Sequence, residues 1–85
     1  MNIKQIKYFV SVANRGSLSS AAREHGISVQ AVSKSMADLE FEFGENLFDR
    51  SHQGIELTPL GEAFLEKAAE VDSSFRELEL ISESC

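Results

Sequence analysis

Residues 17–44 read SLSSAAREHGISVQAVSKSMADLEFEFG, a stretch that spells out two helices with a short turn between them. Ser17 stands where a helix N-cap belongs, its hydroxyl suited to an amide that the first helical turn leaves free. Leu18, Ala21 and Ala22 then share one face of a short helix running from Leu18 to His25. Gly26 stops it, since glycine tolerates the left-handed backbone that follows a helix end. After Ile27, Ser28 offers a second N-cap. Val32, Met36, Leu39 and Phe43 recur at spacings of three and four, which predicts a longer helix over 29–43, ended by Gly44. A helix, a turn containing glycine and a second helix make a helix-turn-helix. The small pair Ala21-Ala22 lets the helices cross closely, and Ile27 is placed to plug the turn.

Outward from this centre the pattern continues. Upstream, Ile3, Ile6, Phe9, Val10 and Ala13 form an apolar stripe on a helix over 2–14, with Lys4 and Lys7 off the stripe. Downstream, Leu47-Phe48-Asp49-Arg50 and Ile55-Glu56-Leu57 flank the polar loop Ser51-His52-Gln53-Gly54, a β-hairpin placed as a wing. Thr58-Pro59 opens another helix, threonine as cap and proline at the first position, where its missing N–H costs nothing. Phe64, Ala68, Val71, Phe75 and Leu78 alternate at four and three along it, a heptad-like seam. Glutamates 62, 66, 70, 77, 79 and 83 cover its outside. The expected fold is mostly α: a winged helix-turn-helix over 1–58, with the helix-turn-helix at about 18–37 and the wing at about 47–57. A linker and dimerisation helix over 59–85 follows. A helix so long is expected to seek a partner, most simply a second copy pairing through that seam.

Composition bounds the function. Eighty-five residues with 42% hydrophobic and 26% charged describe an ordinary globular domain, too short to bury a large core. No apolar run nears the roughly 20 residues that cross a bilayer and no signal-peptide pattern opens the chain, so the cytoplasm is expected, with no membrane partner. The lone cysteine, Cys85, ends the sequence and cannot pair internally. An end there, straight after a strong helical pattern, suggests an excised N-terminal piece. The net charge of −6 is unusual for a nucleic-acid binder, but it is unevenly spread. Lys4, Lys7, Arg15, Arg23 and Lys34 face Glu24 alone in residues 1–36, a balance of +4, while residues 37–85 carry −10. A binding surface formed by the first half fits that polarity.

In a helix-turn-helix the leading turn of the second helix enters the major groove. Here it holds Ser28, Val29, Gln30, Ala31, Ser33 and Lys34. Small residues allow close approach, and free N–H groups at the helix start attract a phosphate. Gln30 can pair with adenine N6 and N7, Lys34 can donate to guanine O6 and N7, and Val29 can touch a thymine methyl. These types also suit the solvated face of any small helical domain. Arg50, His52 and Gln53 would form the wing tip near a minor groove or its phosphates; for Arg50, an ion pair to Asp49 or Glu56 fits equally well. Ser17, Ser19, Ser20 and Arg23 flank the preceding helix, where phosphates would pass, although Ser17 also serves as a cap. His25 reads as a half-buried structural histidine and His52 as solvated. Neither forms a metal site with a cysteine, no nucleophile–base pair carries a local signature and no glycine-rich phosphate loop occurs. No enzyme and no cofactor are expected.

Phe9, Ala13, Gly16-Ser17-Leu18, Ala21-Ala22, Ser28, Ala31-Val32-Ser33, Leu39-Glu40, Gly44, Leu47-Phe48-Asp49-Arg50, Leu57-Thr58 and Gly61 together resemble the N-terminal domain of LysR-type transcriptional regulators. The resemblance covers residues 1 to about 65 without a gap. It implies sequence-specific binding of double-stranded DNA, a linker helix pairing protomers into dimers and often tetramers, and a C-terminal domain, absent here, that binds a small-molecule inducer. Departures from the family pattern are specific. Val29-Gln30 replaces glutamine and proline after the capping serine, and Lys34 stands for arginine, a point charge for a planar fork. His25 stands for leucine, His52-Gln53 replaces an arginine-bearing wing, and Phe41 occupies a place usually polar. The competing reading is a protein-interaction module, which the acidic balance and altered wing favour.

Overall fold

Local signals in the chain fix where each helix starts and stops. The computed structural model describes residues 1–50 and 54–84, and orders them as α1 (Ile3–Arg15), α2 (Leu18–His25), α3 (Val29–Phe43), β1 (Phe48–Asp49), β2 (Glu56–Leu57) and α4 (Pro59–Ser84). Ser17 and Ser28 cap α2 and α3, their hydroxyls accepting from the amides of Ser20 at 3.2 Å and Ala31 at 3.1 Å. Gly26 closes the turn at φ +65°, and the Ile27 amide reaches back to the Ala22 carbonyl at 3.0 Å. At the start of α1, Asn2 and Gln5 form a reciprocal capping box that the sequence reading passed over. Thr58 caps α4, its hydroxyl accepting from the Gly61 amide at 3.0 Å. The fold is a mostly α winged helix-turn-helix with a two-stranded antiparallel wing, Phe48 opposite Leu57 and Asp49 opposite Glu56.

The three N-terminal helices bury Phe9, Val12, Ala21, Val32, Met36 and Leu39 completely, and Leu47 at the base of the wing joins them. Four aromatic rings extend this core. Phe9 lies 5.2 Å from Phe48 of the wing and 4.7 Å from Phe64 of α4, and Phe64 lies 5.1 Å from Phe43 of α3. Such tilted and edge-on arrangements add to the burial of the rings themselves. Helix α4 is therefore no free appendage beginning after residue 58: Gly61, Ala68 and Asp72 are buried within the chain's own fold. Gly61 is fixed by proximity, because a Cβ there would stand 2.1 Å from the Leu47 carbonyl oxygen. The far half of α4, about 40 Å long in all at 1.5 Å per residue, runs out past the core and stretches the molecule to 47 × 25 × 19 Å. Among the described residues no helix is long and apolar enough to cross a membrane.

Candidate nucleic-acid interface

With α2 and the turn holding one side of α3, its opposite side is left open. Ser28, Val29, Gln30, Ala31 and Lys34 are exposed, Val29 to 40%, and Ser33 is half-buried. The Ser28 hydroxyl already accepts from Ala31, so the amides of Val29 and Gln30 are the groups that the first turn leaves for water or an incoming acceptor. Lys34 extends from the same face, its side chain 77% exposed, and donates to Asp38 one turn further at 3.0 Å. Ahead of the turn, Ser17 is half-buried and spent on capping, Ser19 is exposed, and Arg23 donates to the Ser20 hydroxyl at 3.3 Å. Of the leading-turn residues, Ser28, Val29, Gln30, Ala31 and Lys34 thus face outward and Ser33 does so only in part.

The wing is held by a residue to which the sequence reading gave no role. Glu40 of α3 accepts from the amides of Leu47 at 2.8 Å and Phe48 at 3.3 Å, and its other oxygen stands 3.9 Å from the Arg50 guanidinium. Beyond Asp49 and Glu56, the partners considered for Arg50, the guanidinium thus also reaches a carboxylate on α3. The guanidinium also sits 6.0 Å from the centre of the Phe48 ring and remains half-exposed. His52 and Gln53, with Ser51, lie outside the described residues.

The basic segment 1–36 does not offer all its charge to one surface. Lys7 turns to α4, pairing with Asp72 at 3.2 Å and Glu79 at 3.6 Å. Arg15 pairs with Glu24 at 2.8 Å. The hydrogen bond from the Ser11 hydroxyl and then that from Arg15 hold the Glu24 carboxyl below the usual glutamate range. Lys34 pairs with Asp38 within α3, which leaves Lys4 and Arg23 as the exposed cations of this region with no ion pair among the described residues, so the reading surface is less basic than the local balance of +4 implies. His25, half-buried at the end of α2, meets Tyr8 edge-on at 4.9 Å, the structural position expected for it.

The apolar seam read along the last helix divides in two. Phe64 and Ala68 face the chain's own core, and Phe75 is half-buried with the Lys7 ammonium 5.0 Å from its ring. Ala68 is thereby closed to a partner. Val71 and Leu78 point outward, Leu78 to 62%, together with Leu80 and Ile81. Phe41, noted for its unusual place, is 89% exposed on α3.

Three helices, the second and third joined by a tight glycine turn, with an outward leading turn and a hairpin behind it, define a winged helix-turn-helix domain. Residues 3–62 match the bacterial regulatory helix-turn-helix protein family of the lysR type, and the chain belongs to that family. It is 42% identical over 71 residues to the HTH-type transcriptional regulator TcbR of Pseudomonas sp. (strain P51), covering 84% of this chain and 24% of that protein. Among solved structures it superimposes on the CbnR DNA-binding domain in its DNA complex with a TM-score of 0.84 at 37% identity, covering 99% of this chain and 97% of that one. It also superimposes on the BenM DNA-binding domain bound to catB site 1 DNA, with a TM-score of 0.90 at 26% identity, covering 99% and 94% of the two chains. The chain spans about a quarter of the length of the curated relatives it matches.

Proposed function

We propose that this chain binds duplex DNA sequence-specifically as the reading domain of a bacterial transcriptional regulator. The carrying observation is the open leading turn of α3, with Ser28, Val29, Gln30 and Lys34 turned outward on a rigid, capped helix. That turn enters the major groove. Gln30 reads adenine, Lys34 guanine, and Val29 a thymine methyl. Ser33 lies at the edge of the contact, and Arg50 flanks it from the wing. Arg23 accompanies the phosphates, and Ser17, its oxygen engaged as the α2 cap, still has its hydroxyl proton to donate to one. The solved DNA complexes of the similar CbnR and BenM domains support this reading. Two copies associate through the outward stripe of α4 around Val71 and Leu78, so that the paired reading helices meet a two-fold-related site. Inducer binding and any tetramer belong to the full-length regulator, which acts in the cytoplasm; the domain itself works without a cofactor and as a binding module, not a catalyst.

Selection of genomic fragments on the immobilised protein, followed by affinity measurement across salt, tests this. Enriched fragments and a steep fall of affinity with salt are expected, because each neutralised phosphate releases counterions. No enrichment together with an affinity indifferent to salt overturns it. The net charge of −6 favours a second reading, a protein-interaction module. Sedimentation equilibrium separates the two, since a module of that kind self-associates identically with and without duplex DNA.

A further inference from the structure

We infer that Asp38 is a specificity-determining residue: by holding the Lys34 ammonium on the helix surface, it withholds that charge from phosphates and leaves it for a matching base. This rests on the DNA-binding reading above. The two residues stand one turn apart on α3, across the helix from Val32, Met36 and Leu39, on the same outward side as Gln30. Their contact is 3.0 Å long, with side chains 77% and 50% exposed.

Helix stability does not explain the pair. Exposed ion pairs at this spacing contribute only about 0.3–0.5 kcal/mol, and the order here, cation before anion, is the less favourable one. Aspartate is also a poor helix former away from the first turn. A carboxylate on a surface that meets a polyanion costs attraction to every sequence. Its return lies in what it does to lysine. An ammonium on a flexible four-carbon stem is a point charge with no geometry of its own, and it is drawn to whichever phosphate is nearest. Anchored to Asp38 by one N–H, it keeps two donors, and guanine presents O6 and N7 side by side to receive them. On a matched site Lys34 serves base and carboxylate together. On a mismatched site the carboxylate repels the backbone, with no base contact to offset it. Asp38 therefore weakens non-specific binding more than specific binding.

The test compares the 85-residue chain with Asp38→Ala, Asp38→Glu, Lys34→Ala and the double variant Lys34→Ala/Asp38→Ala. Fluorescence anisotropy is read on a duplex recovered by genomic selection and on a scrambled duplex of equal length, at several salt concentrations. Asp38→Ala is expected to tighten the scrambled duplex roughly three- to tenfold and to steepen its salt slope by about 0.9, the worth of one further phosphate contact. The selected duplex changes less, so the ratio of affinities falls. Asp38→Glu, which keeps a carboxylate within reach of Lys34, retains the ratio. With Lys34 removed, Asp38→Ala shifts both duplexes equally. Equal tightening of both duplexes while Lys34 is present reduces Asp38 to background charge and overturns the inference. Failure of the unaltered chain to prefer any duplex overturns the DNA-binding reading itself, and it is seen before a variant is measured. Both side chains are exposed, so thermal melts of the variants are expected to overlay that of the parent.

Discussion

Lys7 Nζ lies 3.2 Å from Asp72 Oδ1, joining α1 to the middle of α4, and Arg76 holds the other carboxylate oxygen at 2.9 Å. The Asp72 side chain is only 6% exposed. An ionised carboxylate so far from water is tolerated because both oxygens are bonded, and removing either side leaves the other poorly compensated. Asp72→Ala is expected to destabilise the fold by about 1–3 kcal/mol. For a domain of this size each kcal/mol lowers the melting temperature by roughly 4–8 °C, which circular dichroism reads directly. Asp72→Leu, filling the volume without a charge, should recover part of the loss, because an apolar replacement of a buried ion pair is often neutral. If both variants melt with the parent, the clamp contributes nothing.

Gly61→Ala tests how closely α4 approaches the wing. Within a helix, alanine normally gains about 1 kcal/mol over glycine. Here the new Cβ would meet the Leu47 carbonyl oxygen, which itself accepts from the Thr58 amide at 3.0 Å. Because this neighbour is backbone, α4 must shift bodily. A loss of roughly 2 kcal/mol, in the range of overpacked cores, is expected from urea midpoints, with the denaturant slope unchanged. A gain in stability would mean that α4 starts elsewhere.

Glu24 gives the fold a component that depends on acid. Bonded to the Ser11 hydroxyl and Arg15, it has a folded-state pKa below its unfolded value. Its contribution is therefore complete above the ordinary glutamate pKa of about 4.3 and is lost as pH falls through the depressed folded value. Glu24→Gln should lower the melting temperature at neutral pH. The gap between variant and parent should close progressively below about pH 4. A gap that persists unchanged into strong acid means that the bonds do not depend on charge.

The helix-turn-helix was legible because its signals are local. Ser17, Gly26, Ser28 and Gly44 each act within one turn of their own position, and all four stand in the structure as caps or stops. Asn2 and Gln5 were equally readable, at the spacing of a capping box, and were missed. What escaped the sequence depends on partners distant along the chain. Asp72 looks like any solvated acid until Lys7 is brought to it, and Glu40 shows its use only when the wing folds back against α3. Leading-turn residues could be named, since helix periodicity alone turns Gln30 and Lys34 away from Val32 and Met36. That Arg50 also approaches Glu40 could not be read from the sequence, because tertiary packing brings α3 to the wing.

The divided seam of α4 yields the last prediction. Periodicity groups Phe64, Ala68, Val71, Phe75 and Leu78 into one stripe, although a helix can bury one edge of such a stripe internally and leave the other for a partner. Phe64 touches Phe9 and Phe43 within the chain, whereas Leu78 touches water. Phe64→Ala should therefore act as a core truncation, costing about 3–5 kcal/mol. Leu78→Asp should leave the melting temperature of a dilute sample nearly unchanged, since an exposed substitution shifts stability by only about 0.5 kcal/mol. It should instead weaken self-association in sedimentation equilibrium by at least tenfold, because pairing would bring a charge into an apolar interface. Val71→Asp should do the same. If the aspartates leave self-association intact, the copies meet through another surface, and Phe41, exposed on α3, is the next residue to replace.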